Sequence, residues 1–509
     1  MLRSISALFV GQLVNIIGKL VLVPLYLSLW STGVYGEWMA LSALVAYFGV
    51  TDFGMNAAAG NAMTAAYARG DLREYRCFQS SAMVFYIGIA SAASLLFGIL
   101  VAIFPIPAWI GIRQIPSATA ATVVWLLAAT LLWQMPAAQL ASVYRSTGNL
   151  AATEWLGNLQ SVSLLGVTLI VLLLHGDTLR LAFWGAVPMI VVTAGIWVNL
   201  RGSRPELLPK LSEARVGSIR ELCSPSLLFG LIMLSMAVTL QGPVVLVSMA
   251  LGGAAVALLV TTRTLTNVIR QAIGAFQVAL WPELTRLDAL GAEGSLRWAH
   301  RLSVIGSVAL HAAFAGALWF EGASVISAWT VGRLTPDIWL LRLFLLALVL
   351  QAPWLASSQF TVANNRHRRL ACSYATAAIL TLAATALLVR PCGPIAVPLG
   401  ALFGEGLACY YFVIKDTCRV LKEDHGRFAS RMWAAVLMIS CSAWSAGYLG
   451  HAIAFGPRPL RWMEVGALTT LAAALAAWTV GLSGDDRVRL VRWGQTRWNA
   501  EQLTAANLR

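Results

Sequence analysis

The chain predicts an all-α polytopic membrane protein of about fourteen transmembrane helices. Three observations predict it. Apolar residues gather in runs of about 18–26, each long enough to cross a hydrocarbon core about 30 Å thick. Charged residues are 11% of the 509 positions, against about 25% in average soluble chains. The basic residues concentrate in alternate short loops, which is the positive-inside pattern.

The spans fall at roughly 5–30, 37–62, 80–104, 119–143, 155–174, 180–200, 224–249, 253–281, 302–321, 337–361, 370–389, 394–414, 432–453 and 462–482. The first begins just after Arg3 and is too long for a signal-peptide core, so it reads as an uncleaved helix. An even number of spans puts both termini on one side. Twenty-six Lys and Arg residues lie in one set of alternate loops and the tail, from Arg3 and Arg69 through Arg215 and Arg369 to Arg431 and beyond. About seven, among them Arg113, Arg180 and Arg458, lie in the opposite set. The termini are therefore expected in the cytoplasm.

Residues 1–200 read as one six-helix bundle, 201–223 as a basic linker and 224–414 as a second six-helix bundle. A cytoplasmic loop, 415–431, leads to two additional spans in 432–482 and a basic tail, 483–509. The halves carry a repeat signal. Pro24 precedes Gly33 by nine residues, as Pro243 precedes Gly252, at an offset of 219. Six helices per half makes such repeats parallel, related by an axis along the membrane normal. The tail mixes Val488, Leu490, Val491 and Trp493 with arginines. It reads equally as a helix on an anionic leaflet or as a solvated tail.

Several function classes drop out. The net charge of +14 resides in short loops rather than a nucleic-acid-binding patch. The seven cysteines form no CxxC and no Cys/His cluster, so neither a disulfide framework nor a zinc site is expected. No GxxxxGK[ST], GxSxG or HExxH motif is present, so no cofactor or ATP site is expected and the chain reads as a non-enzyme. Loops on the outer face are at most about fifteen residues, too short to hold an external substrate for a membrane-embedded enzyme.

Charges inside spans carry the chemistry, because a lone one costs about 2.5–3.5 kcal/mol at a helix centre. Asp52 sits in the apolar run 37–60. Gln12, Asn15 and Lys19 share one face of span 1 at spacings of three and four. Arg263 and Arg270 share a face of span 8, with Asn267 and Gln271 beside them. One reading is a cationic cavity in which Lys19, Arg263 and Arg270 attract an anionic headgroup, since arginine binds phosphate bidentately. Asp52 is then the counter-charge and Gln12, Asn15, Asn267 and Gln271 the polar lining. The other reading has Asp52 pairing with Lys19 simply to pin spans 1 and 2 together. Glu405 in span 12 would pair with an arginine or titrate as a coupling site. His311 reads as a packed histidine. Glu37 and Glu321 lie at outer helix ends, where a carboxylate is cheap, and no role is assigned to them.

Three stretches resemble one family. Val23-Pro24-Leu25-Tyr26, Gly33-Val34-Tyr35-Gly36-Glu37-Trp38 and Tyr47-Phe48-Gly49-Val50-Thr51-Asp52-Phe53-Gly54 are similar to the N-terminus of Wzx-type polysaccharide flippases. These belong to the multidrug/oligosaccharidyl-lipid/polysaccharide exporter superfamily. Trp281-Pro282-Glu283-Leu284-Thr285 and Asn364-Asn365-Arg366-His367-Arg368 agree in position. The similarity covers about residues 1–420, and the two extra spans resemble the fourteen-helix branch. The resemblance implies two six-helix bundles forming a V in a bacterial inner membrane. It implies alternating access that moves an undecaprenyl-pyrophosphate-linked oligosaccharide to the periplasmic leaflet. Coupling to protons or sodium, and a polymerase and glycosyltransferases of the same pathway, are the expected partners besides membrane lipid. The alternatives are a drug/cation antiporter of the same superfamily and a membrane-embedded polysaccharide polymerase or ligase.

Overall fold

The computed structural model describes residues 2–52, 55–223, 227–279, 284, 287, 290–363, 368–454 and 456–491. The long helices are α1 (Leu2–Leu29), α2 (Thr32–Val45), α3 (Met55–Ala68), α4 (Leu72–Ile103), α5 (Ser117–Ser146), α6 (Leu150–Leu173), α7 (Thr178–Ser203), α8 (Leu227–Leu251) and α9 (Gly253–Ala279). After these come α10 (Glu293–Trp329), α11 (Ile338–Ala363), α12 (Arg368–Cys392), α13 (Ala396–Ala408), the short α14 (Phe412–Val420), α15 (His425–Ile453) and α16 (Arg458–Ala476). No described residue is in a β-strand. Part of the small stock of acidic side chains is used to start helices. Asp71, Asp177 and Asp424 accept the N–H three residues on at 2.6–2.8 Å, which meets an unpaired amide and suits the helix dipole.

Eleven described stretches are long and apolar enough to cross a membrane. The other expected spans differ for physical reasons. Span 2 is not one helix: α2 stops at Val45, a 3₁₀ stretch runs from Ala46 to Asp52, and α3 restarts at Met55. Span 8 is α9, a 27-residue helix whose polar face lowers its hydropathy. Spans 11 and 12 run together over Arg368–Ala408 because their joint is a single tight turn, Gly393–Ile395, with Gly393 at φ +63°. Span 12 itself ends early, at Ala408, and α14 starts a new direction at Phe412.

Two compact units emerge from the contacts. The first comprises Met1–Val268, Ile326–Leu340 and Tyr374–Gly404; the second comprises Ile269–Val325, Leu341–Ser373 and Glu405–Arg509. This division runs through α9 to α13, and residues 201–223, expected as a linker between two bundles, lie wholly within the first unit.

In the first unit α1 packs on α6, α4 on α5, and α2 on α8. The start of α9 also meets α2, and does so through backbone. A Cβ on Gly36 would lie 1.7 Å from the carbonyl oxygen of Gly253, and one on Gly253 would lie 2.4 Å from that of Gly33. Gly111, at φ +84°, comes equally close to Ser248. Beside this contact Glu37 is 1% exposed. Its carboxylate accepts the N–H groups of Arg113, Gln114 and Ile115 at 2.7, 2.8 and 2.8 Å. The carboxylate with no assigned role is thus buried and fully met, and it clamps the turn before α5.

In the second unit the two additional spans, α15 and α16, dock on α10. A Cβ on Gly447 would lie 2.6 Å from the Gly316 oxygen, so these helices also touch through backbone. The buried carboxylate of Glu321 accepts two hydrogen bonds from Arg461, at 2.8 and 3.0 Å, and lies 2.6 Å from His451 Nδ1. Residues 484–491 are helical. Asp486 offers its carbonyl to Trp298 at 3.4 Å, and Arg489 donates to the Gly294 carbonyl at 3.1 Å. This part of the tail is therefore bound to the start of α10 rather than solvated as a free coil. Residues 492–509 are outside the described residues.

Two substitutions test this packing. Gly36→Ala forces a methyl group onto a backbone oxygen and lowers the melting temperature in detergent. Gly88→Ala, where nothing lies within 4 Å, raises stability by about 0.5–1 kcal/mol, as alanine does in an open helix position. Equal effects at the two sites rule out the close contact. Arg461→Ala leaves Glu321 buried without its main partner and costs about 3 kcal/mol in an unfolding titration. The pair Glu321→Gln with Arg461→Gln recovers part of that loss.

Candidate functional site

Lys19 projects from α1 into a cavity of about 540 Å³ inside the first unit. Most of the lining is apolar; its polar members are Asn15, Ser42, Thr130, Gln134, Gln160, Ser161 and Thr168, with Tyr26 and Trp38, and Lys19 is the one cation among the described residues that line it. Gln134 and Gln160 face each other across α5 and α6, each amide donating to the other at 3.4 and 2.8 Å. Asn15 also donates to the Gly11 carbonyl of its own helix at 3.0 Å. Gln12 shares the helical face but does not line the cavity and is exposed. Arg263 and Arg270 are not among the lining residues either.

Asp52 is met in a way the sequence reading did not foresee. The 3₁₀ break puts it just before α3, where its carboxylate accepts the N–H of Asn56 at 3.3 Å. A break of this kind interrupts backbone pairing and exposes donors that a carboxylate can use. The hydroxyl of Tyr86, on α4, donates to the same oxygen. From Asn56 a chain of amides continues: Asn56 Nδ2 to Gln139 Oε1 at 3.4 Å, and Gln139 Nε2 to Gln79 Oε1 at 2.7 Å. Gln79 and Gln139 are both fully buried. Arg145 closes the network by donating to the Asn56 carbonyl at 3.0 Å. Asp52 does not line the cavity of Lys19. The expectation of a cationic partner overlooked a tyrosine and a helix start, both of which meet a carboxylate without adding charge.

Arg263 and Arg270 sit two turns apart on α9, about 10 Å along its axis at about 1.5 Å per residue. Both are half-buried, as are Asn267 and Gln271. Arg263 lies in the first unit and donates to the Leu240 carbonyl of α8. That carbonyl is one residue beyond Thr239, whose own helix donor is lost because Pro243 has no N–H. Arg270 lies in the second unit, where its charge acts on Glu405 and His311. Glu405 is buried and accepts a hydrogen bond from Gln351 Nε2 at 2.9 Å. His311 uses Nδ1 on the Ser307 carbonyl of its own helix at 2.7 Å, the behaviour of a packed histidine. The described residues contain no group of three metal-ligating side chains.

The sequence reading missed Tyr86, Gln79, Gln134, Gln139, Arg145 and Gln160. It weighed charges inside spans and passed over amides. Paired glutamines in spans 4 and 5 were the available signal. The family stretches Phe53-Gly54, Trp281-Pro282-Glu283, Thr285 and Asn364–His367 lie outside the described residues.

No family model and no curated protein matches the chain. Solved structures do. An inward-facing multidrug resistance MATE family transporter of the MOP superfamily aligns with a TM-score of 0.66 at 14% identity, covering 79% of this chain and 95% of its own. The lipid II flippase MurJ, in an inward closed conformation, aligns at 0.65 and 13% identity, covering 93% of this chain and 98% of its own. The chain shares the fold of these transporters. A MATE in its bent conformation aligns at 0.57 and 14% identity, covering 84% of this chain and 96% of its own.

Tyr86→Phe removes the O–H that meets Asp52 and lowers stability by about 1.5–3 kcal/mol, read by thermal unfolding. In the Tyr86→Phe background, Asp52→Asn costs less than it does alone, giving a coupling of about 1 kcal/mol. Additive effects exclude this contact as what meets Asp52.

Proposed function

We propose that the chain flips an undecaprenyl-pyrophosphate-linked oligosaccharide from the cytoplasmic to the periplasmic leaflet by alternating access, serving surface polysaccharide biosynthesis. The observation that carries this reading is Lys19, a cation in a cavity within the membrane-spanning helices whose largely apolar wall also carries amides and hydroxyls. A phosphate-bearing headgroup meets that site favourably, while an organic cation is repelled by it. Amides such as Gln134 and Gln160 suit sugar hydroxyls. The likeness to MurJ supports the reading by its extent, the scores being nearly equal. It reaches 93% of this chain, against 79% for the MATE of similar score. The Wzx-like stretches in α1, α2 and the 3₁₀ turn point to lipid-linked oligosaccharide within this fold.

In this proposal Lys19, Arg263 and Arg270 engage the pyrophosphate as the transporter changes state. Glu405, close in charge to Arg270, is the coupling residue for a proton or a sodium ion, and Asp52 holds the first bundle together. The protein works in the bacterial inner membrane with both termini in the cytoplasm, alongside the polymerase and glycosyltransferases of its pathway. The likeness to MATE transporters supports a second reading, drug/cation antiport, which the positive charge of the cavity disfavours.

Single Lys19→Ala, Arg263→Ala and Arg270→Ala variants, expressed at wild-type level in the native host, are expected to cut surface polysaccharide about tenfold or more. That corresponds to losing one charge-assisted contact of about 1.5–3 kcal/mol. Lys19→Arg restores part of the signal. Normal polysaccharide in all three variants sinks the cationic route, and unchanged surface glycans on deleting the gene sink the flippase reading.

A further inference from the structure

A second cationic hollow lies in the second unit, on the face that carries the basic loops. It measures about 860 Å³ and opens between the first turns of α12, the helix α14 and the start of α15. Its centre is Asp416, which is 7% exposed. One oxygen of this carboxylate holds two guanidinium groups, Arg419 at 2.9 Å and Arg369 at 3.3 Å. The arginine side chains remain 58% and 64% exposed. Each guanidinium has five N–H donors, so most stay available for a ligand. Arg368 and Lys415 extend the same wall. Lys415 Nζ is fixed 3.0 Å from the Tyr411 hydroxyl and 5.0 Å from its ring centre.

The other acid in the wall, Glu423, is spoken for. Arg301 Nε donates to it at 2.6 Å and His300 Nδ1 lies 3.5 Å away. Burial alone pushes the Glu423 carboxyl up, but these two partners outweigh it and hold it below the usual carboxylate range. With Glu423 matched from outside the hollow, four lining cations face one carboxylate. The hollow therefore keeps an excess of three positive charges, and two arginines are already oriented by a buried acid.

The apolar side of the hollow identifies the source of the anion. Phe412 lines it and is 56% exposed, and Tyr411 next to it is also exposed. The rest of α14 is buried through Ile414, Thr417 and Cys418. A short helix with exposed aromatics beside lysine and arginine, at the end of a membrane span, has the make-up of an interfacial helix. Basic pockets between membrane helices on this side recognise acidic lipid headgroups. We propose that this hollow binds the phosphate of an anionic phospholipid, with the acyl chains leaving over Phe412. The site is separate from the Lys19 cavity and does not depend on the transported substrate.

The test titrates the purified full-length protein in detergent with dioleoylphosphatidylglycerol or dioleoylphosphatidylcholine and counts bound lipid by native mass spectrometry. The wild type is expected to hold one phosphatidylglycerol about tenfold more tightly than phosphatidylcholine. Arg368→Gln with Lys415→Gln, which leaves the Asp416 triad intact, is expected to reduce that preference to about twofold with an unchanged melting temperature. Arg369→Gln, Asp416→Asn and Arg419→Gln together remove the triad without stranding a buried acid, and are expected to abolish the preference. An undiminished preference in both variants overturns the proposal. Displacement of phosphatidylglycerol by millimolar inorganic pyrophosphate, with the same sensitivity to the variants, assigns the site to a soluble phosphate instead and also overturns it.

Discussion

In a chain this apolar, a buried carboxylate must find its compensation within reach of its own carboxyl group, because neither water nor a distant charge can supply it. Four acids inside the helical units obey this constraint in four ways. Glu37 takes three backbone N–H groups from one turn. Asp52 takes a tyrosine hydroxyl and a helix start. Glu321 takes an arginine fork and a histidine. Glu405 takes a glutamine amide with Arg270 acting nearby. Each solution ties together elements far apart in the sequence. The acids therefore act as the pins of the fold, and the apolar surface packs around them.

The same constraint explains what could be read in advance. The all-α class and the series of membrane-length helices follow from composition and periodicity, which are additive along the chain, whereas the break in span 2 and the merging of spans 11 and 12 do not. Lys19 lines a cavity of the first unit together with Asn15, with which it shares a face of span 1, but the arginines expected beside it do not. The partner of Asp52 was not legible. Reading span 2 as one continuous helix hid the helix start that half-satisfies the carboxylate, and nothing local in the run 37–60 marks the break except two glycines. Glu37 was dismissed because it lies near a helix end, but its three donors come from residues 113–115. Long-range satisfaction of this kind has no periodic signature.

The role of the two additional helices was also open in the sequence. Their contacts are now specific: backbone against backbone at Gly316 and Gly447, and an ion pair at Glu321. They belong to the second unit as firmly as its other helices do. The chemistry of the units differs as well. The first holds the cavity lined by Lys19 and the amide network between Asp52 and Arg145, while the second holds the Glu405 cluster and the basic hollow around Asp416.

The contact between Gly36 and Gly253 has a consequence for how such a protein is surveyed. Truncation scanning assumes that alanine is the smallest residue and that a contact is revealed by deleting it. Where two backbones already touch, there is no side chain to delete, and alanine is the bulky replacement. A scan that skips glycines leaves this contact invisible, and one that scores only losses of side chain will assign its importance to the neighbours. The tolerance profile of α2 is therefore inverted at this point. Its large residues, such as Tyr35 and Trp38, bear the conventional cost of truncation, while its smallest ones permit no growth at all.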